Sequence, residues 1–229
     1  MESIPYNIPV PPQSFYVFAP LQFGTAIALN GLIRVLARRH SILRWVVKSE
    51  YIHAVRQMIS DVPNVQVLAA IHEHEVRSRW LPQCPLRVGL GCFSAKGDIP
   101  QTDAELYAQA GVPFDARWTE CKFPKALVKD ATPTKKSVAL IYETEKFLVK
   151  PDFLPDKLNI FRMVNRSSAL DWIPEMLSAS ELHFIDSSFL KLAESLHAMG
   201  ALPNTTLVFH KYAKGTPGPE LRGPWKIFD

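Results

Sequence analysis

From Phe15 onward, short apolar runs alternate with stretches whose apolar residues recur at the period of a helix. FYVFA at 15–19 reads as a strand, and Pro20 to Gly24 as a turn. Ile27, Leu29, Leu32, Ile33, Val35 and Leu36 then mark one face of a helix from about Thr25 to Arg39. LRWVV at 43–47 is the next strand, followed by a helix around Tyr51 to Ile59, a proline-bounded turn at Asp61 to Asn64, and the strand VQVLAA at 65–70. A fourth strand is predicted at Leu86 to Leu90, leading into the loop GCFSAKGD. Short apolar strands separated by helices imply a parallel sheet covered on both faces, which is half of a Rossmann-like domain.

Residues 101–123 read as a helix and then a loop, after which the strand pattern starts again. Strands are predicted at 137–142, 158–164, 182–185 and 206–209, with helices at 168–178 and 188–199. Pro124, Pro133 and several lysines cluster between Phe123 and Lys136, so the predicted boundary separates residues 1–123 from 124–229. The expected fold class is α/β, with two Rossmann-like halves facing a cleft that would hold the ligand. Pro5, Pro9, Pro11 and Pro12 predict an extended N-terminal arm. Pro217, Pro219 and Pro224 predict an irregular tail returning toward the first half. Trp45, Trp172 and Phe184 are most simply core residues.

The most informative segment is Glu181 to His210. An apolar strand ends in Asp186-Ser187-Ser188, a helix opens there, and another apolar strand follows. Unpaired backbone N–H groups, two hydroxyls and the positive end of the helix converge on that turn, a favourable place for phosphate. A doubly wound sheet holds its ligands at the carboxyl ends of its strands, which selects the same spot. Simple N-capping by Ser187 or Ser188 is the competing reading.

Composition narrows the class. With 47% hydrophobic and 21% charged residues, the 229-residue chain has the makeup of an ordinary globular protein. No apolar run approaches the roughly 20 residues that span a bilayer, and MESIPYNIPVPPQ lacks the pattern of a signal peptide. A cytoplasmic location is therefore expected. Cys84, Cys92 and Cys121, odd in number and without CxxC spacing, argue against disulfides and structural zinc, and are expected to be buried thiols. The net charge of +4 suits anionic ligands without demanding nucleic acid. G-x-G-x-x-G, G-x-x-x-x-G-K-[ST] and G-x-S-x-G are all missing, which weakens nicotinamide-binding, P-loop and α/β-hydrolase readings.

IDSSFLKLAESLHAMGALPNTTLVFH resembles the segment in the carboxyl half of GT-B glycosyltransferases, especially the heptosyltransferase group, where the turn and helix start hold a nucleotide-sugar diphosphate. The chain is also similar to small glycosyltransferase-like proteins with AGVPF-x-x-RW and HKYA motifs, here Ala110 to Trp118 and His210 to Ala213. The resemblance implies a compact GT-B-like fold, with the acceptor on the first half and a nucleotide-diphosphate sugar on the second. The implied reaction is transfer of the sugar to a hydroxyl acceptor without a metal or other cofactor. A saccharide, a small molecule and a hydroxymethylated base in DNA are the acceptors considered; a non-catalytic nucleotide or sugar binding module is the alternative. One departure is plain. The heptosyltransferase group has an acidic residue in the first strand-to-helix loop, and here that loop is Pro20-Leu21-Gln22-Phe23-Gly24.

On this resemblance Asp186, Ser187 and Ser188 would bracket the diphosphate. Lys211 and Arg166, each just after a predicted strand, would add positive charge. Inverting transfer also needs a base, for which Glu143, His210 and Asp98 are the candidates, with Glu145, His72 and His74 weaker. His72 and His74 have H-x-H spacing but no third metal ligand, and IHEHE reads as a surface loop. Gln22, Phe23 and Gly24 form the ligand edge of the first half. Arg117, beside Trp118, is either a phosphate-binding cleft residue or part of a hinge salt bridge.

Overall fold

Among the described residues all seven pairings between the strands are parallel, so each connection crosses a sheet face and the carboxyl ends of each sheet gather on one edge. The computed structural model describes residues 14–19, 21–84, 87–89, 102–128, 136–149, 152, 158–164, 166, 168–212 and 219–228. The first sheet contains β1 (Ser14–Phe18), β2 (Ile42–Lys48), β3 (Val65–Ala70) and β4 (Arg87–Val88), in the order β3-β2-β1-β4. The second contains β5 (Lys136–Tyr142), β6 (Asn159–Arg162), β7 (Ala179–Phe184), β8 (Thr206–His210) and β9 (Lys226–Phe228), in the order β6-β5-β7-β8-β9. The order reverses between β1 and β4 in one sheet and between β5 and β7 in the other, the points where a crevice opens at the strand ends.

Helices α1 (Phe23–Ala28), α2 (Asn30–Arg39) and α3 (Ile52–Met58) belong to the first half. So do α4 (Glu73–Glu75), α5 (Asp103–Gln109) and α6 (Ala116–Thr119). Helix α7 (Lys125–Val128) precedes β5, and α8 (Ile173–Ser178) and α9 (Ser188–Ala198) belong to the second half. Trp45, Trp172 and Phe184 are fully buried, Cys84 and Cys121 are buried thiols, and the core residues of both halves form one continuous cluster. The two-half α/β architecture expected from the sequence is present. Among the described residues, no helix is long and apolar enough to cross a membrane.

Several elements differ from expectation for identifiable reasons. The helix expected over 25–39 begins at Phe23 and breaks at Leu29, because the buried Tyr107 hydroxyl enters its ladder. That hydroxyl donates to Ala28 O at 2.9 Å and accepts from Leu32 N at 3.0 Å, the two groups an uninterrupted helix would pair. Burial pushes the Tyr107 phenol far above its ordinary range, so it remains a donor. One residue pair on, a Cβ at Gly31 would lie 2.0 Å from Ala116 O, so glycine there lets α6 lie directly on α2.

IHEHE is not a simple loop: the His72 ring accepts from Glu75 N at 3.2 Å and caps α4, which runs on as a wide helical turn over Val76–Trp80. The segment 168–178 divides into a 3-10 turn, Ala169–Trp172, and α8. The tail is not wholly irregular, since Lys226–Phe228 adds to β8 as a parallel edge strand. The strand expected at 86–90 is described only as Arg87–Val88; the GCFSAKGD loop, the N-terminal arm and Cys92 lie outside the described residues.

The halves meet through α1 and α9, and a buried carboxylate holds the junction. Glu194, in the middle of α9 and 1% exposed, accepts from four N–H groups: Trp118 Nε1 of α6 at 3.0 Å, and Arg222 N, Gly223 N and Trp225 Nε1 of the tail. Arg222 also reaches the first half, pairing with Asp115 and lying 4.5 Å from the Trp118 ring centre.

Two substitutions test this account. Tyr107→Phe leaves Ala28 O and Leu32 N buried without a partner and is expected to cost about 2–4 kcal/mol in urea unfolding. Glu194→Gln sets an amide NH₂ among donors. It is expected to cost about 3 kcal/mol and to change tryptophan fluorescence as Trp225 loses its acceptor.

Candidate functional site

The turn after β7 begins with buried Ile185, exposed Asp186 and half-buried Ser187. Ser187 has extended backbone, which turns its hydroxyl back over the first turn of α9. The hydroxyl accepts from Leu190 N at 3.3 Å and donates to Ile185 O at 3.0 Å, so Ser187 is the N-cap. Lys191 N begins the helical ladder by bonding to Ser187 O. The N–H groups of Ser188 and Phe189 are the ones the helix itself leaves without an acceptor. Eleven residues of aligned peptide dipoles add partial positive charge at this end.

Lys191, one turn into α9, was missed in the sequence, although its spacing from the two serines puts it in the first helical turn. Its ammonium lies 2.9 Å from Asp103 Oδ2 at the start of α5. The same oxygen is 3.4 Å from Arg117 Nη1. Arg117 is 5% exposed and packs against the Phe114 and Trp118 rings, so it belongs to an ion-paired cluster between the halves. Asp103 was missed as well; only the fold brings it to α9 from 88 residues away.

The opposite wall is the first turn of α1. A Cβ at Gly24 would lie 3.4 Å from both Ser188 Cα and Lys191 Cδ, so the amino ends of α1 and α9 come close together there. The carboxyl edges of the two sheets thus face each other. Phe23 is buried with its ring 5.2 Å from that of Tyr51, and Gln22 is exposed at the mouth of a narrow crevice formed with Ala19, Trp45, Lys48 and Tyr51. The structure therefore brings together Gln22, Phe23, Gly24, Ser187 and Ser188, with Arg117 joined through Asp103 and Lys191.

The remaining candidates have other partners. Glu143 follows β5 at the strand-order reversal, but its carboxylate accepts from Arg162 Nε and, at 2.9 Å, from Val149 N. The strand ends at Tyr142, so Glu145 does not continue its alternation and is exposed in a turn. The Arg166 guanidinium sits 3.7 Å over the Trp172 ring centre and bonds Asp171 O at 2.7 Å and Glu175 at 2.8 Å, clamping the turn before α8. Lys211 N donates to Phe228 O at 2.7 Å, and its side chain is half-buried. Asp98 lies outside the described residues. The His72 and His74 rings are 6.0 Å apart, and among the described residues no three His, Cys, Asp or Glu side chains form a metal-sized cluster.

His210 is 3% exposed and part of a chain the sequence did not reveal. Its Nε2 is 3.1 Å from His183 Nδ1, and His183 Nε2 is 3.0 Å from Glu181 Oε2. A carboxylate at Glu181 only accepts, so His183 donates from Nε2 and its Nδ1 accepts from His210 Nε2–H. Burial, with a smaller contribution from His183, lowers the His210 pKa to about 4. Burial also lowers that of His183, partly offset by Glu181.

No family model and no curated protein matches the chain. Among solved structures it is similar to the glycosyl transferase family 9 protein from Veillonella parvula DSM 2008. The identity there is 11% and the TM-score 0.53, over 94% of this chain and 86% of that one. It is also similar to E. coli heptosyltransferase WaaC with ADP-2-deoxy-2-fluoro heptose, at 10% identity and a TM-score of 0.51, over 94% of this chain and 92% of that one. At these identities the likeness is one of fold, and it agrees with the GT-B-like architecture expected from the segment after β7.

The histidine pair gives stability a defined pH dependence. Above the ordinary histidine value of 6.5, His210 is neutral in folded and unfolded chains alike, and its contribution is complete. Between 6.5 and about 4 the unfolded chain takes up a proton that the folded chain refuses, so stability falls as pH falls through that window. Urea midpoints measured across it are expected to decline, and His210→Leu is expected to flatten the decline while His183 retains part of it.

Proposed function

We propose that this chain is a glycosyltransferase that moves a sugar from a nucleoside diphosphate donor to a hydroxyl acceptor, with the donor diphosphate at the amino end of α9. The observation that carries this reading is the coincidence of Ser187, Ser188 and the Lys191 ammonium at a helix start beside the β5/β7 reversal. The shared fold and the nucleotide-sugar analogue in the heptosyltransferase structure support it.

In this mechanism the helix end and Lys191 stabilise the charge that develops on the departing diphosphate. Lys191 leaves Asp103 for the phosphates as the donor binds. Its departure frees Asp103 Oδ2 from one of its two cationic partners, Arg117 remaining, and Asp103 lies on the acceptor half at the same point. Glu143 is held by Arg162, and His210 is 3% exposed with its Nε2 taken up by His183, so Asp103 is the base this reading favours. Ser187 orders the helix start and leaves the N–H groups of Ser188 and Phe189 for phosphate oxygens.

A binding module without transfer is the second reading. It is favoured by the close approach of Gly24 to Ser188 and by the lack of a carboxylate in the described part of the first loop.

A panel of nucleoside diphosphates and nucleotide sugars, read by thermal unfolding, tests the donor site. Ligand at about 100 times its dissociation constant is expected to stabilise the fold by roughly 2.7 kcal/mol, and Lys191→Met is expected to remove most of that gain. Incubation of the stabilising donor with saccharide, small-molecule and hydroxymethylated DNA acceptors then separates transfer from binding. Stabilisation without sugar release favours the module; no stabilisation by any nucleotide overturns the donor site.

A further inference from the structure

Among the described residues of the second half, Phe161 of β6 and Phe147 are the exposed phenylalanines, and Phe147 sits on a closely tied turn. Phe147 is 42% exposed and Leu148 is 60% exposed. Thr144 N donates to Phe147 O at 3.1 Å and Phe147 N to Thr144 O at 3.0 Å, closing a tight turn over Glu145 and Lys146. Val149 N donates to the Glu143 carboxylate at 2.9 Å, and Arg162 holds that carboxylate from β6. From the other side, the Tyr212 hydroxyl donates to Leu148 O, and its ring lies 5.3 Å from that of Phe147 at 43°.

The topology gives the ring its significance. Phe147 leaves the carboxyl end of β5, and Tyr212 follows the carboxyl end of β8. Strand β7 lies between them. Their contact therefore bridges two strand spacings, about 10 Å, on the same carboxyl edge of the sheet from which Asp186 opens the turn into α9. The turn's hydrogen bonds present the ring without an ordering cost on binding, and a flat apolar ring in water gains by stacking against another π-face.

We infer that Phe147, backed by Tyr212, is the platform on which the base of a nucleoside diphosphate stacks. This rests on the donor-site reading and extends it. The helix end and Lys191 recognise the diphosphate, while Phe147 distinguishes a nucleoside diphosphate from inorganic pyrophosphate. Stacking is tolerant of base identity, so the platform favours purines and pyrimidines over no base at all.

The test compares ADP, UDP and inorganic pyrophosphate by titration calorimetry against the intact chain, Phe147→Ala, Phe147→Tyr and Lys191→Met. Because the Phe147 side chain is exposed, Phe147→Ala is expected to keep the far-ultraviolet spectrum and unfolding midpoint of the parent. It is expected to weaken ADP and UDP about tenfold or more while leaving pyrophosphate unchanged, and Phe147→Tyr is expected to restore nucleotide affinity. Lys191→Met is expected to weaken all three ligands. Nucleotide binding that Phe147→Ala leaves untouched, or weakens no more than it weakens pyrophosphate, overturns the platform while the donor site stands. Failure of the intact chain to bind any of the three overturns the donor site and the platform with it.

Discussion

The Glu194 carboxylate is the point through which the arrangement of this molecule is fixed. A carboxylate removed from water is strongly unfavourable unless its lone pairs are met, and here they are met by four N–H groups from two other parts of the chain. Trp118 comes from the first half; Arg222, Gly223 and Trp225 come from the tail. Satisfying one buried charge thus sets the position of α9 against α6 and brings the tail across the junction. The α1–α9 contact, the Asp103–Lys191 pair and the course into β9 are all arranged about the helix that Glu194 anchors.

That helix has two tasks that bear on each other. Its buried face joins the halves, and its amino end, with partial positive charge, lies where α1 and Asp103 of the first half come close. Asp103 occupies Lys191 from the first half and already serves as an anion beside that end. In the proposed mechanism an arriving diphosphate competes with Asp103 for the same ammonium, so donor binding and the contact between halves are coupled by one side-chain exchange. At Gly24 the two helix starts approach to within the reach of a single methyl group.

Much of the fold was legible because parallel strands buried on both faces read as short apolar runs separated by helices. The runs at 43–47, 65–70 and 182–185 each correspond to a strand, and the turn at Asp186 to Ser188 does start a helix. Boundaries shifted where the cause was remote in sequence. The break at Leu29 depends on Tyr107, 79 residues beyond its acceptor at Ala28. Strand β9 gave little sign of itself: three residues after Pro224 gain a partner only once β8 offers a free edge.

The site was legible in the same uneven way. Local spacing was enough to predict that a helix starts at Ser187 and Ser188, because an N-cap and a helix start are properties of adjacent residues. Arg166 and Glu143 looked available because each follows a strand, but their partners Trp172, Glu175 and Arg162 come from neighbouring turns and strands. The sequence by itself determined the two parallel sheets and the helix start after β7, since hydrophobic period and capping are written in contiguous residues. The tertiary structure alone decided that Asp103 meets Lys191, that Glu194 gathers Trp118 and the tail, and that Phe147 lies against Tyr212. Those pairings arise from packing distant segments together, and no local pattern encodes them.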